Sequence, residues 1–160
     1  MDFLIRSITS ADDATMARVI RTVMPEFGAT GDGFAINDPE VDWLSKAYAE
    51  PRCAYFVVER DGVVMGGGGV APLVGGGEGV CELRKMYFLP ALRGLGAGSA
   101  LMRHCLDAAR GIGFRECYLE TLRGMDAAKK LYERTGFQRI PGPMGATGHG
   151  GCNAFYLLPL

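Results

Sequence analysis

No run of apolar residues in this sequence approaches the ~20 that a membrane-spanning helix needs. No excess of one charge is present either. The formal net charge is −1, so the electrostatic footprint of a nucleic-acid binder is missing. No Cys-x-x-Cys pair occurs among the five cysteines, Cys53, Cys81, Cys105, Cys117 and Cys152. Their odd count and wide spacing predict free core thiols rather than a disulfide framework or a metal site. Met1 to Arg6 is too short and mixed for a signal peptide, so a cytoplasmic protein is expected, with no membrane or nucleic-acid partner. No internal repeat, linker or composition break divides the chain, and residues 1–160 read as a single domain. What remains is an ordinary globular composition, 48% hydrophobic and 22% charged, long enough to bury a real core.

The most informative stretch is Arg93 to Ser99, R-G-L-G-A-G-S. It follows an extended apolar run (Leu83 to Leu89) and precedes a helical pattern (Ala97 to Ile112). A strand, a glycine loop and a helix in that order turn several backbone N–H groups toward one point. The helix N-terminus adds roughly half a positive charge there. Such a point suits a phosphate or pyrophosphate. The loop lacks the Gly-Lys-Ser/Thr ending of a P-loop. Its Arg-x-x-Gly-x-Gly spacing and mid-chain position also depart from a dinucleotide-binding Rossmann fold.

Along the chain, Phe3 to Ser7 reads as a strand. Ser10 and Asp13 form a capping-box pattern before a helix carrying Met16, Ala17, Ile20, Val23 and Met24. A glycine-containing loop, Gly28 to Asn37, leads to Asp38-Pro39, a helix start for Val41, Leu44 and Tyr48. Strands follow at Cys53 to Arg60 and Val63 to Pro72, joined by an Asp61-Gly62 turn. Four glycines, Gly66 to Gly69, weaken the second of these. They mark either a close backbone approach or a bulged, poorly ordered edge. Val80 to Leu89, Glu116 to Leu122, Phe137 to Ile140 and Ala154 to Leu158 are further strands. Helices occupy Ala97 to Ile112 and Met125 to Thr135, closed by Gly113 and Gly136. The order β-α-α-β-β-β-α-β-α-β-β predicts an α/β fold (α+β by some schemes), with six to seven strands in a mixed, mostly antiparallel sheet and helices on both faces.

"ELRKMYFLP" (Glu82 to Pro90), "RGLGAG" (Arg93 to Gly98) and "AAKKLYERTGF" (Ala127 to Phe137) together resemble the GNAT superfamily of acetyl-CoA-dependent N-acyltransferases. The resemblance covers nearly the whole element order. It implies that Arg93, Gly94, Leu95, Gly96, Ala97, Gly98 and Ser99 hold the coenzyme A pyrophosphate. It implies that the main chain of Met86, Tyr87 and Phe88 pairs with the pantetheine arm like an added half-strand, with a bulge at Tyr87-Phe88 turning an N–H to the thioester oxygen. Tyr132 is the implied acid at the coenzyme sulfur. Glu82 lies eleven residues before Arg93, a separation at which some protein-modifying members carry a glutamate general base, and it is the implied base here. Met125 departs from the commonest pattern, which has asparagine three residues before Ala128.

Each role has a plainer rival. On periodicity alone Tyr132 is a core tyrosine, and Glu82 is a solvated or salt-bridged strand residue. His149 is a candidate base or acceptor contact in an exposed loop. Arg84 and Lys85 either steer phosphates or are simply solvated, and Arg93 or Arg103 would meet the 3′-phosphate. Asp32, Asn37 and Trp43 lie where the family builds its acceptor pocket. The resemblance thus implies acetyl-CoA as cosubstrate, no metal, and a small or amino-acid-like amine as acceptor, and it allows a homodimer. A protein N-terminus or lysine as acceptor, or a non-catalytic acyl-CoA-binding module, are the competing readings.

Overall fold

The computed structural model describes residues 3–27, 38–122 and 125–160. In chain order these form β1 (Leu4–Ser7), α1 (Asp13–Val23), α2 (Leu44–Ala47), β2 (Ala54–Arg60), β3 (Val63–Pro72), β4 (Val80–Phe88), α3 (Ala97–Ile112), β5 (Glu116–Thr121), α4 (Asp126–Thr135), β6 (Gln138–Ile140) and β7 (Ala154–Pro159). One seven-stranded sheet runs β1-β2-β3-β4-β5-β7-β6. Every pairing is antiparallel except β4 with β5. The expected element order and sheet type are both present. No helix among the described residues is long and apolar enough to cross a membrane.

Period-two alternation distributes the core over both faces. Val57 and Ala71 face the cluster of Met16, Ile20, Val41 and Leu44 beneath α1 and α2. Their neighbours Val58 and Val70 face the cluster of Leu101, Cys105, Leu131 and Tyr156 beneath α3 and α4. Each fully buried Val, Leu, Ile or Met among them stabilises the fold by roughly 1.5–3 kcal/mol before entropy is counted.

Two local expectations shift. The capping box at the first helix is Thr9 with Asp12, one residue earlier than Ser10 with Asp13. The Thr9 backbone N–H (2.8 Å) and hydroxyl (3.1 Å) both donate to the Asp12 carboxylate. Arg6 adds a bidentate pair to the same carboxylate (2.8 and 2.9 Å) and, against the opposing effect of burial, holds it down at about 2. Asp13 is thereby released for a different partner. It accepts the Ser45 backbone N–H (2.9 Å) and hydroxyl (2.6 Å). That carboxylate from α1 caps the first turn of α2. The continuous helix expected after Asp38-Pro39 is instead a 3-10 turn (Pro39–Asp42), a break at Trp43 with φ −145°, and one α-turn.

The glycine run lies in β3, well inside the sheet, so close approach is its explanation. A Cβ on Gly67 or Gly69 would come within 2.8 and 2.6 Å of the Tyr55 ring. One on Gly66 would meet Phe88 at 2.7 Å. The run clears one face for Tyr55 and another for Phe88.

Candidate active site

β4 pairs with β5 only over Val80 to Glu82, opposite Glu116 to Tyr118. Beyond that seam β4 continues to Phe88 and β5 to Thr121 with no ladder between them. The main chain of β4 from Leu83 onward therefore has a partner on its β3 side and an open edge on the other. The wedge between the strands is a cleft of about 750 Å³, open mouth included. Its walls include Glu82, Met86 and Tyr87 on one side and Glu120, Thr121, Met125 and Tyr132 on the other, with His149 and Cys152 contributed by the loop 141–153.

A bulge lies in the wall of this wedge. Gly69 is opposite Arg84 but Gly67 is opposite Tyr87, so β4 carries one extra residue over that interval. The bulge thus falls at Lys85-Met86, two residues before the expected Tyr87-Phe88. Its cause is visible on the neighbouring strands. Tyr55 lies in the space left by the glycines, and its hydroxyl donates to the Lys85 carbonyl at 2.8 Å. Lys85 itself has φ +51°, a left-handed conformation that costs a non-glycine residue of order 1–3 kcal/mol.

The glycine loop opens at the far end of β4. Gly94 and Gly96 have φ +80° and +82°, and a Cβ on either would meet nothing within 4 Å. They are needed for backbone conformation, and the space above them is open. Gly96 leads into the 16-residue α3, whose first amides have no preceding helical carbonyls. Gly98 has another task, since a Cβ there would press on Leu131 of α4 at 3.1 Å. Ala97 is buried in the core and Leu95 is 38% exposed. The Arg93 guanidinium donates to the Phe88 carbonyl (2.9 and 3.2 Å) and pairs with Glu26 (3.0 Å), tying the loop to β4. The Ser99 hydroxyl accepts from Arg134 at 3.3 Å. Arg134 is thus a cation beside this helix end that no motif marks, because only the packing of α4 on α3 brings it there.

Charged groups gather where the strands part. Glu82 is 3% exposed and accepts from Arg84 Nε at 2.6 Å. Burial raises its pKa above the ordinary carboxylate value, with Arg84 pulling the other way. Lys85, its side chain 1% exposed, donates to Asp38 (3.0 Å) and Glu40 (2.5 Å). Burial pulls this ammonium down, but Glu40 and Asp38 hold it above the ordinary lysine value. Arg84 and Lys85 are therefore internal ion-pair partners rather than solvated strand residues. His149 Nε2 lies 2.9 Å from Asp38, and that bond raises the imidazole pKa against the effect of burial. Burial would raise Asp38, yet His149 and Lys85 outweigh it and keep the carboxyl below its usual value. Glu120 accepts the hydroxyls of Tyr118 (2.6 Å) and Thr147 (2.7 Å). A carboxylate oxygen of Glu82, one of Glu120 and a ring nitrogen of His149 all lie within 4.8 Å of one another.

The fold thus brings Glu82, Tyr132 and His149 to one cleft. Trp43, 44% exposed, lines an adjoining depression with Asp38, Glu40, Glu82 and His149. Asn37 and Asp32 lie outside the described residues. Burial pushes the Tyr132 hydroxyl up to about 12, so it is a proton donor at neutral pH. Burial, then Glu120 and Glu82, push the Cys152 thiol to about 12 as well. Asp38 and Glu120 were missed as site residues. Asp38-Pro39 looks like a helix start, and Glu120 alternates like any polar strand residue.

Residues 19–137 match the family model described as the acetyltransferase (GNAT) family. The uncharacterized N-acetyltransferase YjgM of Escherichia coli strain K12 is 46% identical over 158 residues, which span 98% of this chain and 95% of that protein. An acetyltransferase of the GNAT family from Staphylococcus aureus Mu50 superposes with a TM-score of 0.87 at 18% identity, over 98% of each chain. A GNAT family acetyltransferase from Brucella melitensis, solved in complex with acetyl-CoA, superposes with a TM-score of 0.69 at 26% identity, over 98% of this chain and 87% of that one.

Proposed function

As a member of the acetyltransferase (GNAT) family this chain is an N-acetyltransferase, and we propose that it moves an acetyl group from acetyl-CoA directly onto the primary amine of a small or amino-acid-like molecule in a ternary complex. The observation that supports this reading is the wedge between β4 and β5, a cleft with a few convergent charged groups at its proposed acceptor end, as a small ligand requires.

The residues present fit the coenzyme. Open space lies above two left-handed glycines at the start of α3, which suits a pyrophosphate. The edge of β4 at Met86, Tyr87 and Phe88 has no ladder with β5 and offers main-chain groups to an extended amide chain, the Phe88 carbonyl being held by Arg93. When bound, acetyl-CoA supplies the acetyl group as a thioester.

This chain's own groups meet three needs. The amine must be neutral to attack. An amine of pKa ~10.4 is neutral in about one molecule in 2,500 at pH 7, a deficit of roughly 4.6 kcal/mol. Glu82, buried at the point where the strands part and with a raised pKa, receives that proton. The carboxylates of Glu82, Glu120 and Asp38 attract the ammonium form to this point. The developing negative oxygen needs an N–H donor, often worth ~3 kcal/mol, and the β4 bulge presents main chain to the wedge. The departing thiolate takes its proton from Tyr132. Cys152, which also lines the cleft, stays a protonated thiol, which favours direct attack over an acyl-cysteine route.

Release of free thiol from acetyl-CoA, measured over a panel of small amines and peptides, tests the proposal. Small amines should exceed peptide N-termini and lysines in kcat/KM. The reverse ranking would overturn the acceptor assignment. Glu82→Gln should lower kcat/KM by about 10²-fold. Glu82 must be deprotonated to act, so the wild-type rate should fall as pH drops through its raised pKa, and the variant should lose that limb.

A further inference from the structure

Among the described residues Lys85 is the one non-glycine residue within a strand whose φ is left-handed. Arg52 and Asp61, which share that property, lie in turns. Strain of this kind persists only where the surroundings over-determine it. Here they do so from both ends of the residue. The Tyr55 hydroxyl holds its carbonyl, and Asp38 and Glu40 hold its ammonium. The Tyr55 ring reaches that carbonyl because Gly67 and Gly69 lack a Cβ. Stability alone does not account for a lysine here. A buried ion pair is commonly matched or bettered by an apolar side chain of similar size, and glycine would relieve the backbone.

Resting on the reading that acetyl-CoA lies along β4, we propose that Lys85 is a positioning residue for acyl transfer. Its two-ended anchorage fixes the extra residue of β4 so that a backbone N–H of the bulge is aimed at the thioester oxygen. The same anchorage joins the acceptor side to the coenzyme side, because Asp38 also holds His149. A donor aimed in advance stabilises negative charge as it forms, without reorganisation at the moment of reaction.

The acetyl C=O stretch of bound carbonyl-¹³C acetyl-CoA, read by infrared difference spectroscopy, tests this in wild type, Tyr55→Phe, Lys85→Met and Lys85→Arg. Calorimetry on the same samples gives the dissociation constant. The wild-type stretch should lie below that of free acetyl-CoA. Tyr55→Phe and Lys85→Met should return it toward the free value with binding unchanged, while Lys85→Arg keeps the shift. In turnover, kcat should fall about tenfold in Tyr55→Phe and about 10²-fold in Lys85→Met, with little change in KM for acetyl-CoA. A wild-type stretch at the free value, or a shift that survives both variants, overturns the proposal. If Lys85→Met does not fold, Tyr55→Phe decides alone, since it deletes a single oxygen. Wild-type protein that fails to bind acetyl-CoA would instead overturn the parent reading, and this one with it.

Discussion

The two ends of the cleft are built in opposite ways. The proposed coenzyme side is main chain from one continuous stretch, 86–99. It consists of an open strand edge, two left-handed glycines and a helix start. The proposed acceptor side is side chains from separated segments. Asp38 and Glu40 come from before β2, Glu82 and Lys85 from β4, Glu120 from β5, and His149 from the loop before β7. A main-chain site depends on φ and ψ and is nearly indifferent to what its side chains are. A side-chain site depends on the identity of each group and on the distant neighbours that hold it.

That contrast can be broken at several points. Gly96→Val should have the largest effect. A β-branched residue is unsuited to φ +82°, and the dissociation constant for acetyl-CoA should rise by more than about 10²-fold in calorimetry. Tyr132→Phe comes next, lowering kcat about 10²-fold while coenzyme binding stays unchanged. Full turnover in that variant, where chemistry limits the rate, would remove the acid role. Asp38→Asn leaves Lys85 and His149 each short of an anion, and should raise the acceptor KM about tenfold with the coenzyme constant unmoved. Its pH dependence has a definite sign. Asp38 raises the His149 pKa, so the tie of the loop 141–153 to Asp38 is strongest below the ordinary histidine value and is lost as pH rises through the raised one. Wild-type acceptor KM should climb across that interval and the variant should stay flat. Ser99→Ala, within the main-chain site, should change coenzyme binding by about twofold or less. A large loss there would mean that side chains matter on the coenzyme side too.

The same contrast explains what could be read from the sequence. The borders of α3 were legible because Gly96 and Gly113 mark both ends by local conformation. That Glu82 and Tyr132 share one cleft was legible through motif spacing. Lys85 was not. Period-two alternation assigns each strand residue a face, and an extra residue upsets that assignment from the bulge onward. The cause of the bulge lies on β2 and β3, in Tyr55 and the glycines opposite, so no pattern within β4 announces it. The break at Trp43 is of the same kind, because Asp13, thirty-two residues from Ser45, caps the first turn of α2 beyond it. Glu120 looked like one more polar residue in an alternating strand. Its role depends on Thr147, in a loop whose glycines carry no periodicity to interpret.

The brevity of the pairing between β4 and β5 has a consequence for how the molecule would come apart. Three residue pairs stitch the β1–β4 plate to the β5–β7 plate, while each plate has its own longer antiparallel ladders. What holds the plates together is mostly the oily layer under α3 and α4, to which both contribute. A chain cut at Gly113 should therefore give two fragments that find each other through that layer and regain activity on mixing, and a spliced reporter built on this protein would be divided there.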